Sequence, residues 1–250
     1  MWTRDLLKAN AKQALSGKYW PAFAVTLICA LLGAGNTGGT SRAATSGQSS
    51  YYYDSGHHYS AQAGYLHYSG PLMIAALFVL ALGVALVFLI LNILTVGKRR
   101  FFMENRLGAA PVSSLFSAFH RDGYWNLVKI TFLKSLYIFL WSLLFIIPGI
   151  IKAYEYNMVE YIAAENPYLP AGRVFELSSE MTMGEKWEMF VLDLSFFGWF
   201  FLGALALGIG TFFVLPYYEA TYAELYAALH AKAFAAGYTN ESELSGFMRY

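Results

Sequence analysis

Charged side chains are scarce: only 13% of the 250 residues are Asp, Glu, Lys or Arg, against about 25% in ordinary soluble domains. So little charge cannot cover the surface of a water-soluble globule when 57% of the residues are hydrophobic, which excludes a soluble enzyme and a disordered chain. Neither sign of charge is in excess. The 17 basic and 16 acidic residues leave a net charge of +1, so no global field exists to hold nucleic acid. Cysteine is nearly missing. Cys29 alone can make neither an internal disulfide nor a cysteine metal site, and its place in an apolar run predicts an inert buried thiol. Leu27 and Ile28, just before it, are too large for a lipoprotein signal. No small-x-small cleavage site follows the amphipathic N-terminus.

What is present is apolar and aromatic. Twenty Phe, 19 Tyr and 6 Trp and a mean hydropathy of +0.43 predict an all-α integral membrane protein. A spanning helix needs about 20 mostly apolar residues. Residues 21–35, 71–96, 127–147 and 189–207 are the clear candidates, the second closed by Gly97 and a basic run, Lys98-Arg99-Arg100. Residues 149–165 and 210–234 begin apolar and turn polar part-way. Reading both as spans predicts six transmembrane helices in three hairpins. The alternative has five spans, with 149–165 re-entrant or interfacial. Six spans place Arg4, Lys8, Lys12 and Lys18 on one side with Lys98, Arg99, Arg100, Arg106, Arg121, Arg173, Lys186, Lys232 and Arg249. By the positive-inside rule both termini are then cytoplasmic.

A short signature recurs: Gly17-Lys-Tyr-Trp20, Gly123-Tyr-Trp125 and Gly184-Glu-Lys-Trp187. Each precedes an apolar span and follows an amphipathic stretch. The apolar faces are Leu7, Ala11, Ala14 and Leu15 in the first, Val112, Leu115, Phe116 and Phe119 in the second, and Val174, Leu177 and Met181 in the third. The predicted unit is a cytoplasmic interfacial helix, a Gly-Trp elbow and a helical hairpin, with glycine turning the chain and tryptophan at headgroup depth. Within one membrane domain over residues 1–250, residues 1–20 are the N-terminal amphipathic helix and 21–96 the first hairpin, with a Gly/Ser/Tyr-rich extracytoplasmic loop at 36–70. Residues 111–165 and 170–234 are the second and third units, and 235–250 a cytoplasmic tail. Units two and three share Tyr154-Glu155 and Glu160 with Tyr218-Glu219 and Glu224 at one offset.

Several motifs carry a further resemblance. They are Met1-Trp-Thr-Arg4, Pro148-Gly-Ile-Ile-Lys-Ala-Tyr154, the run from Gly184 to Ser195 with Gly198-Trp199, Gly208-Ile-Gly210, and Ala220-Thr-Tyr-Ala-Glu-Leu-Tyr226. The chain resembles the bacterial integral membrane family catalogued as domain of unknown function 975, over nearly all its length except 36–70. The resemblance implies a protein of the bacterial cytoplasmic membrane and brings no activity or catalytic residues.

Gly33-Ala-Gly35-Asn-Thr-Gly38 spells a dinucleotide-binding pattern but ends an apolar helix instead of following a strand. His57, His58 and His67 have no rigid metal-site spacing, so no metal or cofactor is expected. The ionisable residues within or beside the apolar segments are the candidates: Lys152, Glu155, Glu160, Asp193, Glu219 and Glu224. Charge in hydrocarbon costs about 3 kcal/mol or more, so such groups face a bundle interior or water. Five residues separate the glutamates of each pair, about 140° around a helix, so one of each could line a central space while the other meets headgroups or a neighbouring helix. Asp193 is expected to pair with Lys134. The expected partners are the lipid bilayer and a membrane-protein partner or second copy of the chain. Three functions follow: a non-enzymatic scaffold or accessory protein, favoured; a small-solute, ion or lipid transporter with a glutamate-lined path; and an intramembrane enzyme, disfavoured because no nucleophile or metal set accompanies the carboxylates.

Overall fold

The computed structural model describes residues 2–32, 70–120, 123–205 and 208–245. Every regular element among them is helical: α1 (Arg4–Leu15), α2 (Tyr19–Leu32), α3 (Gly70–Leu107), a 3-10 helix (Val112–His120), α4 (Tyr124–Leu144), α5 (Ile146–Glu155), α6 (Val159–Glu165), α7 (Ala171–Thr182), α8 (Lys186–Leu205) and α9 (Ile209–Ala235). The chain divides into two units. One comprises Met1–Gly35 and Phe88–Tyr250, the other Asn36–Val87. The described part of the second unit is the first half of α3, where Ile74, Leu77, Phe78, Val79 and Leu80 are exposed. The expected loop at 36–70 and its three histidines lie outside the described residues, apart from Gly70, which opens α3.

In the larger unit α9 is the hub, touched by α1, α2, α7 and α8. Thr3 caps α1, its hydroxyl accepting from the Leu6 amide at 3.3 Å, a bond that satisfies one open donor of the first turn. Leu7, Ala11 and Leu15 then line one face and are buried. In α7, Val174, Leu177 and Met181 are wholly buried against neighbours that include α6 and α9. The apolar faces of these two amphipathic helices, expected at the lipid interface, are thus covered by protein. The middle amphipathic stretch is a 3-10 helix; Leu115 is buried, while Phe116, expected on the same face, is exposed. It rides so close on α3 that a Cβ on Gly97 would overlap the Leu115 carbonyl.

Two sequence boundaries change. Gly97 does not close the helix before a basic loop: α3 runs on to Leu107 with Lys98, Arg99 and Arg100 inside it. Residues 149–165 are not one helix. They form most of α5 and then α6, broken at residues 156–158, where the Tyr156 amide still bonds the Lys152 carbonyl but that of Asn157 reaches Tyr154. At about 1.5 Å per residue neither piece reaches across a ~30 Å hydrocarbon core. By contrast α9 runs unbroken for 27 residues with Pro216 inside it. Among the described residues two helices, α4 and α8, are long and apolar enough to cross a membrane.

Candidate functional site

Of the six ionisable candidates, Glu155, Glu160, Glu219 and Glu224 are buried and Lys152 and Asp193 half-buried; they fall into separate clusters, the largest joined by cations expected elsewhere. Consecutive residues of α3 grip Glu219 of α9: Lys98 Nζ lies 2.6 Å from Oε1, and Arg99 Nη1 lies 2.5 Å from Oε2. Arg99 also donates from Nε to Glu160 of α6 at 3.1 Å and from Nη1 to the Tyr161 hydroxyl at 3.1 Å. Glu160 is completed by Lys134 of α4, whose Nζ lies 2.8 Å from Oε1. Two turns along α3, Arg106 Nε meets Glu224 Oε1 at 2.8 Å. One lattice of Lys98, Arg99, Lys134, Glu160 and Glu219 therefore ties α3, α4, α6 and α9 together, with Arg106–Glu224 as a second tie between α3 and α9. Their side chains are at most 12% exposed. Burial of this kind is tolerated only when each charge is paired and hydrogen-bonded.

Glu155 belongs to a separate cluster. Lys152 and Lys186 each donate to it at 2.6 Å, joining the end of α5 to the start of α8. Its backbone carbonyl accepts from Ser178 of α7 at 2.7 Å. Asp193 of α8 is held by hydroxyls: Tyr154 donates to Oδ2 at 2.7 Å, and Tyr218 and Tyr222 donate to Oδ1 at 3.0 and 2.5 Å. The expected Asp193–Lys134 pair is not formed, because Lys134 faces Glu160. Two of the three donors, Tyr218 and Tyr222, stand at i, i+4 spacing on α9. Of the two surroundings expected for the outer member of each pair, headgroups or a neighbouring helix, the neighbouring helix is the one found. Glu155, Glu160, Glu219 and Glu224 are all buried, since the break between α5 and α6 turns the first pair inward and long basic side chains of α3 reach both members of the second.

Sequence reasoning missed Lys98, Arg99 and Arg106 as interior groups. A usable signal was present: no proline stands between Gly97 and Leu107, and Arg99 and Arg106 are seven apart, on one helix face. It also missed Glu165, which accepts from Tyr226 at 2.6 Å and lies 3.5 Å from His230 Nε2.

The three elbows share an exposed tryptophan: Trp20, Trp125 and Trp187 are 70%, 76% and 69% exposed, at the start of α2, α4 and α8. Their glycines differ. Gly17 and Gly184 have φ of +73° and +80°, left-handed values that penalise any side chain. Gly123 has φ −84° and is required for space, since a Cβ there would lie 2.9 Å from the Pro167 carbonyl oxygen.

Near the C-terminus, Arg173 of α7 forks onto Glu243, Nε to Oε1 at 2.8 Å and Nη2 to Oε2 at 3.0 Å. Hydrogen bonds from Arg173 hold the Glu243 carboxyl below its ordinary range. Asn166 donates to the Glu243 carbonyl at 2.8 Å, and Leu244 is buried. Among the described residues no group of three or more His, Cys, Asp or Glu is placed to hold a metal ion.

Residues 144–233 match the model of a family described as protein of unknown function (DUF975), the family the sequence motifs resemble. The matched segment holds Glu155 and Asp193 with their partners, and Glu160, Glu219 and Glu224, whose cationic partners Lys98, Arg99, Arg106 and Lys134 precede it. No curated protein and no solved structure matches the chain.

Proposed function

We propose that this chain is a multi-pass protein of the bacterial cytoplasmic membrane, with both termini cytoplasmic, acting as a non-enzymatic scaffold or accessory protein. The observation that carries the reading is an inverted distribution of polarity along α4 and α8. On α4, Lys134 and Thr131 are buried while Phe139, Leu140, Leu143 and Leu144 are 53–76% exposed. On α8, Asp193 is held inward by tyrosines, while Leu194, Phe197, Trp199, Phe201 and Leu202 are 57–64% exposed. Water would not tolerate such a surface; hydrocarbon favours it and drives ionisable groups to the interior. Trp20 and Trp187, at the starts of α2 and α8, then sit at headgroup depth, where indole is favoured.

The scaffold is preferred over a glutamate-lined path because Glu155, Glu160, Glu219 and Glu224 each hold a Lys or Arg partner within 2.8 Å. A carboxylate so engaged is a strut between helices, not a group waiting for a solute. Cross-linking in native membranes, followed by isolation through a C-terminal tag, should yield a stoichiometric membrane-protein partner or a second copy of the chain. Solute-dependent flux through the purified chain in liposomes would overturn the scaffold in favour of a transporter. Reporters fused after residue 250 and within 47–60 should lie on opposite sides of the membrane.

A further inference from the structure

The turn between α4 and α5 is a single extended residue, Phe145. Between Ser142 and Lys152 no side chain carries a hydrogen-bonding group. Leu143, Leu144, Phe145, Ile146 and Ile147, which form the tip, are each more than 60% exposed. A hairpin that emerges into water ends in polar turn residues; this one ends in the most apolar stretch of its length. Several groups of its backbone are paired within the chain. The Phe145 amide bonds the Trp141 carbonyl at 3.1 Å, the Gly149 amide bonds the Phe145 carbonyl at 3.2 Å, and the Ser142 hydroxyl donates to the Ile138 carbonyl at 2.7 Å. Pro148, in the first turn of α5, brings no amide that would need a partner. Gly149 lets the two arms meet just below the tip, where a Cβ would lie 2.8 Å from Ser142 Cα. Pairing of backbone groups within the chain is what a lipid environment demands.

The arms give the depth. At about 1.5 Å per residue, Lys152 lies about 10 Å and Glu155 about 15 Å back from Phe145 along α5, and Lys134 about 16 Å back along α4. Half of a hydrocarbon core is about 15 Å. If Phe145 reached the far boundary, the Lys152–Glu155–Lys186 cluster would sit near the bilayer midplane. Yet Lys152 and Lys186 are 26% and 32% exposed, and Lys186 opens α8 next to the exposed Trp187. Placing Phe145 near the midplane instead brings the cluster to the headgroup boundary, where partly exposed lysines are cheap.

We infer that α4–α5 is a re-entrant hairpin whose tip, Leu143–Ile147, ends inside the bilayer among the acyl chains of one leaflet, so that neither arm crosses. The inference rests on the membrane reading above and specifies what its second hairpin contacts. Acyl chains of the leaflet it enters are its ligand, and the hairpin wedges that leaflet apart without breaching the other.

The test uses the full chain with Cys29→Ser and single changes Phe145→Cys, Leu144→Cys and, as a reference for the base of the hairpin, Lys129→Cys, whose native side chain is exposed. Membrane-impermeant maleimide should label Lys129→Cys from one face. It should fail on both tip variants from either face until detergent is added. A nitroxide at each tip position should report a depth of about 15 Å, near the midplane. Tip labelling from the face opposite Lys129→Cys would overturn the inference and make α4–α5 a spanning hairpin. Tip labelling from the same face, with the chain still resistant to alkaline carbonate, would overturn it in favour of a tip exposed to water beside the membrane. Release of the unmodified chain by carbonate would instead remove the membrane reading itself.

Discussion

Lys134 and Glu160 meet at 2.8 Å although they come from α4 and α6 and both are nearly inaccessible to solvent. The lysine lies midway along a helix long and apolar enough to cross a membrane, and its partner lies in the segment that returns from the hairpin tip. The contact therefore joins the two sides of the second hairpin at its polar end, and Arg99 extends it to α3.

Breaking this lattice from one side should be costly. Glu160→Ala leaves Lys134 buried without its carboxylate and Arg99 with Glu219 alone, a loss of about 3–5 kcal/mol by comparison with other buried pairs. The double change Lys134→Met with Glu160→Gln should lose less than the sum of the singles, since it removes the uncompensated charge. Thermal unfolding in detergent measures both. Equal and additive losses would mean the pair is not coupled.

The elbow glycines should separate by mechanism. Gly17→Ala and Gly184→Ala force a side chain into left-handed backbone and should each cost about 1–2 kcal/mol. Gly172→Ala, in the first turn of α7 with open space around its Cβ position, should be neutral or slightly stabilising. The same melting assay on all three variants checks this.

The Asp193 hub should respond in proportion to the hydroxyls left stranded. Tyr222→Phe removes one donor at about 1 kcal/mol. Asp193→Leu strands Tyr154, Tyr218 and Tyr222 together and should destabilise by several times as much, with Asp193→Asn between them. A larger effect from Tyr222→Phe than from Asp193→Leu would refute the hub.

The tail clamp should be pH-dependent. Glu243 is held below its ordinary value of 4.5 by hydrogen bonds from Arg173. Its contribution to docking is therefore complete above that value and disappears as pH falls through the lower folded-state value. Hydrogen exchange over residues 238–245 should stay slow from neutral pH down to about 4.5, after correction for intrinsic rates, and accelerate below it. Glu243→Gln should exchange faster at neutral pH and lose the acid-induced change.

The apolar segments of α2, α4 and α8 could be read within a few residues because hydrophobicity is a local property of the chain. So could the amphipathic faces of α1 and α7, whose Leu7, Ala11, Val174, Leu177 and Met181 are all buried as their spacing requires. The ends and partners were less legible. Lys98-Arg99-Arg100 reads as a cytoplasmic loop when no carboxylate is in view, and α3 continues through it because Glu219 and Glu160 neutralise the charge. Residues 149–165 read as one helix because nothing between Tyr154 and Glu160 forbids it. The break at 156–158 accompanies tertiary contacts that bring Glu155 to Lys186 and Glu160 to Lys134 on either side of it.

By itself the sequence determined the all-helical class, the apolar segments, the recurring glycine-tryptophan elbows and the family likeness, because composition and helical periodicity act over a few turns. Tertiary structure alone decided which charge meets which. Pairing energies between Lys98 and Glu219, or Lys134 and Glu160, depend on distances between residues as many as 121 positions apart, and no local pattern encodes those distances. It also decided that the glutamates are buried beside cations and that Phe145 is the turn between α4 and α5, since both depend on how neighbouring helices pack.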